Sequence, residues 1–129
     1  MDTVQHAATI LIVDDNQVNL KLARVLFESE GYAVVTAEDA DQALQVLANV
    51  RPALVLMDIQ LPGMDGITAL KQLRADPTTK NISVIAITAS AMTHNRTTML
   101  AEGFDGYQTK PISLKDFLGE VQRVLAAAI

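Results

Sequence analysis

The sequence predicts an α/β fold in which five parallel strands form one sheet and helices cover both of its faces. Three observations predict it. Five short β-rich runs punctuate the chain, a helical pattern follows each of them, and 129 residues, half of them hydrophobic, suit one domain with a sizeable core. Strict alternation of strand and helix implies a parallel sheet with helices on both faces. Crossovers in such a sheet are right-handed. Five strands in this pattern most often give the doubly wound, flavodoxin-like order 2-1-3-4-5.

The elements follow in order. Residues 1–8 read as a short N-terminal arm and 9–129 as the domain. The first run is Ile10–Val13. In the helix after it, Val18, Leu22, Val25 and Leu26 share a face at helical spacing, and Gly31 is a suitable stop. The second run is Ala33–Thr36. Its helix aligns Ala40, Ala43, Leu44 and Leu47, with Asp39 and Gln42 placed to cap the start. The third run, Leu54–Met57, is continuously apolar, as a strand buried on both faces should be. Its helix aligns Ile67, Leu70 and Leu73 and stops at Asp76-Pro77. The fourth run is Val84–Thr88, followed by a polar helix from about Met92 to Glu102 with Met99 and Leu100 as anchors. The fifth run, Gly106–Thr109, precedes a helix with Leu114, Phe117, Leu118, Val121, Val124 and Leu125 on one face.

Composition narrows the function classes. A net charge of −5 argues against nucleic acid as a direct partner. The absence of cysteine excludes disulfides, thiolate metal sites and cysteine nucleophiles. The apolar run from Ala7 to Val13 is too short to span a bilayer and ends on two aspartates. It lacks the basic flank and cleavage site of a signal peptide, so a cytoplasmic location without membrane association is expected.

In a doubly wound sheet, ligands bind outside the carboxyl ends of the strands, near the point where strand order reverses. Strand one ends on Asp14-Asp15, strand three on Asp58, strand four on Thr88 and strand five on Lys110-Pro111. Singly, each has an ordinary reading. Asp14-Asp15 suit a helix N-terminus, Asp58 a turn ahead of Pro62-Gly63, Thr88 a strand and Lys110 the surface. As a set they point to chemistry. Strands one and three are neighbours across the reversal, so their carboxylates should converge. Converging carboxylates repel unless a cation compensates, and an all-oxygen set suits a hard divalent ion, Mg²⁺ above all, with Mn²⁺ as its substitute. A carboxylate beside such an ion, an ammonium and a hydroxyl is a sensible place to receive a phosphoryl group as an acyl phosphate. Lys110 and the Thr88 hydroxyl would meet the charge on the phosphoryl oxygens. Met57 and Met64 read as fillers around the site, and His6 and His94 as solvent-exposed residues with no metal role.

The stretches ILIVDD, LVLMDIQLPGMDG, VIAITA and GYQTKP, in this order and spacing, resemble the receiver domain of bacterial two-component response regulators over residues 9–127. The resemblance implies that Asp58 is the phosphoacceptor, charged by a histidine kinase or a histidine phosphotransfer protein. It implies that Asp14, Asp15 and Asp58 hold Mg²⁺ together with the backbone carbonyl of Gln60, and that Thr88 and Lys110 contact the phosphoryl oxygens. It also implies a cis bond before Pro111, and a switch aromatic at Tyr107 that moves with Thr88. Output is then expected through protein contacts on the face of helix four, strand five and helix five (Met92, His94, Asn95, Arg96 and Thr98 among them). The only chemistry expected of such a regulator is self-phosphorylation and slow self-dephosphorylation. Because the chain stops just past the fifth helix, a stand-alone regulator is expected. A receiver cut from a hybrid histidine kinase is the alternative. A second alternative, from another class, is a Mg²⁺-dependent phosphohydrolase working through an aspartyl phosphate. Such an enzyme often wants a second acid two residues after the nucleophile, and Gln60 stands there.

Overall fold

The computed structural model describes residues 8–111 and 113–127. All of the expected arm except Ala8, including His6, lies outside these residues. The elements are β1 (Thr9–Val13), α1 (Gln17–Ser29), β2 (Ala33–Ala37), α2 (Ala40–Leu47), β3 (Leu54–Asp58), α3 (Gly66–Ala75), β4 (Ser83–Thr88), α4 (Arg96–Glu102), β5 (Gly106–Thr109) and α5 (Leu114–Ala127). The sheet is parallel throughout and ordered β2-β1-β3-β4-β5, as the alternation predicts.

Successive residues of a strand face opposite sides of the sheet, so the apolar runs supply two cores at once. Leu11, Val13, Val55, Met57, Val84 and Ala86 face one side and pack with Ala40, Ala43 and Leu47 of α2, Leu70 and Leu73 of α3, and Met99 of α4. Ile10, Ile12, Leu54, Leu56, Ile85 and Ile87 face the other and pack with Leu20 and Phe27 of α1 and Phe117, Val121 and Val124 of α5. Phe27 and Phe117 meet edge to face with ring centroids 5.4 Å apart, joining α1 to α5.

Local signals set most of the helix ends. The Asp39 carboxylate accepts the Gln42 N–H at 2.8 Å, and the Gln42 side chain accepts the Glu38 N–H at 3.0 Å, which confirms the expected cap of α2. α3 ends at Ala75, before Asp76-Pro77. Gly103 closes α4 with φ at 114°, a conformation only glycine takes without strain.

Two expectations are corrected. Three of the four residues expected to face the core from α1 face outward instead: Val18, Leu22 and Val25 are 64%, 65% and 67% exposed. Leu20 and Phe27 are buried in their place, with Ala23 partly buried beside them, while Leu26 packs partly buried against the core as expected. The helix carries two apolar stripes with the same period, and the larger ring of Phe27 takes the sheet. α4 starts at Arg96 rather than near Met92, because Asn95 caps it by accepting the Thr98 N–H at 2.9 Å. Its second expected anchor, Leu100, is exposed.

Arg74, in the last turn of α3, gathers the amino ends of two strands. Its guanidinium donates to the carbonyls of Lys80, Ile82 and Gly103 and to the Asp105 carboxylate at 2.6–3.0 Å. Asp105 in turn accepts the Val84 N–H at 2.8 Å.

Candidate functional site

The register of the sheet builds the site. Val13 pairs with Met57 across β1 and β3, so the next residues, Asp14 and Asp58, emerge side by side at the strand ends. Asp14 is fixed by its backbone, which donates to the Ala37 carbonyl at 3.1 Å. Its carboxylate accepts the Asn16 N–H at 2.9 Å and the Asn19 side-chain amide at 3.2 Å. Asp58 is the last residue of β3 and only 3% exposed. Its Oδ1 accepts the Gln60 N–H at 2.9 Å, and its Oδ2 accepts from Lys110 Nζ at 2.8 Å. Lys110 also lies 3.3 Å from Asp14. Asp15 is exposed at the rim. Asp14, Asp15 and Asp58 each offer a carboxylate oxygen, all within 4.8 Å of one another.

Charge in this cluster is unbalanced. Burial raises the Asp58 pKa above its ordinary 3.8, and the Asp14 charge adds to the rise. The bonds from Lys110 and Gln60 offset only part of it. Burial pulls the Lys110 ammonium down, but its bonds to Asp58 and Asp14 outweigh that and leave it above its ordinary value. Three carboxylates against one ammonium leave two negative charges, which matches one divalent cation. The donor set is all oxygen, so the residues present fit a hard divalent ion.

Thr88 and Tyr107 lie on the two neighbouring strands. The Thr88 hydroxyl is fully buried at the end of β4 and accepts the Ser90 N–H at 3.0 Å. Tyr107 is buried on β5, and its hydroxyl donates to the His94 carbonyl at 2.6 Å. Burial raises the Tyr107 phenol pKa, keeping it protonated as that bond requires. The Arg96 guanidinium sits over the Tyr107 ring, 5.4 Å from its centroid. His94, expected in solvent, is half-buried between these two residues. The Lys110–Pro111 peptide bond is cis. The structure therefore brings Asp14, Asp15, Asp58, Thr88 and Lys110 to one end of the sheet, with Gln60 on the loop after Asp58 and Tyr107 one strand beyond Thr88.

Sequence reasoning missed three supporting residues. Gly66 opens α3 directly behind the site. A Cβ there would lie 2.5 Å from the Asp58 carbonyl oxygen and 2.9 Å from the Ile59 Cα, so a side chain would displace the backbone that carries Asp58. The signal was available, because a helix has little reason to start on glycine unless another backbone comes close. Asn19 orients Asp14, and no spacing rule singles it out. Glu120, on the buried face of α5, accepts the Tyr107 N–H at 2.7 Å and pairs with Arg123 at 3.0 Å and Arg96 at 3.3 Å. An acid among the apolar positions of α5 is its only trace in the sequence.

A parallel sheet that gathers carboxylates, a lysine and a hydroxyl at its carboxyl edge defines a class of α/β domains with an acidic site at the strand ends. Comparison with known proteins narrows that class. The family model for the response regulator receiver domain matches residues 10–122. The polar-differentiation response regulator DivK of Brucella anthropi is 38% identical over 93% of this chain and 98% of its own. A CheY-like response regulator receiver domain protein from Methanospirillum hungatei is 31% identical, with a TM-score of 0.86 over 95% of this chain and 96% of its own. The receiver domain of a sensor histidine kinase from Pseudomonas aeruginosa, solved with magnesium coordinated in its active site cleft, is 32% identical. Its TM-score is 0.84 over 93% of this chain and 98% of its own. The chain belongs to the response regulator receiver domain family, and its function is that of a phosphorylation-dependent switch in two-component signalling.

Proposed function

We propose that Asp58 is the phosphoacceptor of this switch, and that the donor is a phosphohistidine on a histidine kinase or a phosphotransfer protein. One observation carries the reading: Asp58 ends the central strand with one oxygen paired to Lys110, among two further carboxylates and beside Thr88. A carboxylate oxygen of Asp58 attacks phosphorus, the phosphorus–nitrogen bond breaks, and the imidazole leaves with the electron pair. Lys110 and the Thr88 hydroxyl contact the phosphoryl oxygens and stabilise their charge. Asp14, Asp15, Asp58 and the Gln60 carbonyl would hold Mg²⁺, or Mn²⁺ in its place. When bound, the ion supplies positive charge against the same oxygens.

Gln60 cannot titrate, so it offers no general acid or base for rapid hydrolysis. The chain's own chemistry is then self-phosphorylation and slow loss of the phosphoryl group, rather than turnover of a free phosphoester. Incubation with a small acyl phosphate and Mg²⁺ should add one phosphoryl group, seen by intact mass, and EDTA should prevent it. No uptake, or uptake that EDTA leaves untouched, would overturn the reading.

The outward stripe of α1 supports a place for the donor protein. Leu22 lines the same groove as Asn19, Lys110 and Pro111, next to the acid cluster. An exposed apolar stripe flanking a reactive group suits a helical partner that must bring a histidine to Asp58. Leu22→Asp should slow transfer from a phosphorylated donor protein about tenfold or more, the loss expected when an interface anchor is removed. Labelling by a small acyl phosphate should not change. Equal slowing with both donors would count against this surface. Output is assigned to the face of α4, β5 and α5, where Tyr107 sits, on the family resemblance.

A further inference from the structure

The Thr88 hydroxyl has one proton to place. Its oxygen already accepts the Ser90 N–H at 3.0 Å, and the residue is fully buried. A buried hydroxyl proton without an acceptor is costly. Among the described residues, the other polar group in reach of this oxygen is Nδ1 of His94, at 3.5 Å. The neutral imidazole carrying its hydrogen on Nε2 leaves Nδ1 free to accept. The backbone of the same residue is engaged too, since the His94 carbonyl accepts the Tyr107 hydroxyl at 2.6 Å.

We propose that His94 is a positioning residue for the switch: its ring is the resting acceptor of the Thr88 proton, and its carbonyl holds the Tyr107 hydroxyl. This rests on the reading of Asp58 and Thr88 given above. Thr88 can donate its single proton to His94 or to a phosphoryl oxygen on Asp58, not to both. The imidazole therefore competes with the phosphoryl group. Because both contacts belong to one residue, the release of Thr88 is felt at the point that holds Tyr107.

The contact is long, so its loss should have a modest effect. His94→Phe keeps the bulk of the ring and removes Nδ1. It should be labelled by a small acyl phosphate about threefold faster than the parent, within the range of one neutral hydrogen bond. His94→Asn, whose amide oxygen can stand where Nδ1 stands, should return the rate toward the parent's. A double-mutant cycle supplies the readout that a merely structural role would not move. In a Thr88→Val background the His94→Phe effect should disappear, whereas a general loosening of the loop would persist. Additive effects in the cycle, or equal rates for His94→Phe and the parent, overturn the role of His94 alone. Absence of any label on the parent protein overturns the reading of Asp58 instead, so the two failures are distinguishable.

Discussion

Asp58→Asn takes up no phosphoryl group, and in metal-free buffer it unfolds at a higher temperature than the parent protein. The first half follows from chemistry, because an amide is not a competent nucleophile toward phosphorus. The second follows from the electrostatics of the acid cluster itself. Burial and the Asp14 charge hold the Asp58 pKa above its ordinary 3.8. The folded protein thus binds that proton more tightly than the unfolded chain does. The ionised carboxylate imposes no cost below the unfolded pKa. The cost grows as pH rises from there and is complete once pH has passed the folded value. Asparagine is isosteric and carries no charge. It can keep the bond from the Gln60 N–H, and Lys110 keeps Asp14. The expected gain at pH 7 is a few degrees in Tm, about what 1 kcal/mol produces in a domain of this size. The difference should shrink as pH falls toward 4. Millimolar Mg²⁺ should reverse it, since an ion bound only by the folded parent stabilises the parent alone. Paired thermal melts with and without Mg²⁺ check this. A metal-free variant less stable than the parent at pH 7 would contradict it.

Glu120→Ala loses about 2–3 kcal/mol in urea unfolding, although Glu120 lies outside the acid cluster. Its buried carboxylate is the acceptor for the Tyr107 N–H, and alanine leaves that buried donor without a partner. The Arg96 and Arg123 side chains are about half exposed, so their ion pairs add little beyond this. Glu120→Gln keeps an acceptor in place and should lose less than half as much. Gly106 belongs to the same arrangement: a Cβ there would come within 2.8 Å of the Glu120 carboxylate, so the acid fills space that a side chain on β5 would need. Burial pushes the Glu120 pKa up, but the bonds from Arg123 and the Tyr107 N–H, with the Arg123 and Arg96 charges, outweigh it. The net pKa lies below the ordinary 4.5. The charged form therefore contributes stability that is fully present above pH 4.5 and is lost as pH falls through the folded value. The parent and Glu120→Gln stabilities should converge below that pH. A gap that stays constant down to pH 3 would contradict the assignment.

The strands were legible because their signal is local. Each β-rich run ends at or just before a polar residue, and all five begin or end within a residue of where composition places them. The acid cluster was legible because strand order, once inferred, fixes which strand ends are neighbours. The inward face of α1 was not legible. Val18, Leu22 and Val25 repeat with the same period as Leu20, Ala23 and Phe27, and periodicity alone cannot say which stripe meets a sheet. The start of α4 was obscured by the polar residues before it, until the Asn95 cap decided the point. Gly66 and Glu120 depend on approaches between elements distant in sequence. His94 gains its environment only when β4 and β5 lie side by side.

The Arg74 fork has a mechanical consequence. It ties the entries of β4 and β5 to α3 at the end of the sheet away from the acid cluster. The exits of the same strands carry Thr88 and Lys110, which lead into the loops around the site. Each strand is thus clamped at one end like a cantilever, and displacement is easiest at the other. Slow amide exchange should gather near Val84 and Asp105 and fast exchange around Ser90 and His94, so that the free end, which carries Thr88 and Lys110, yields first.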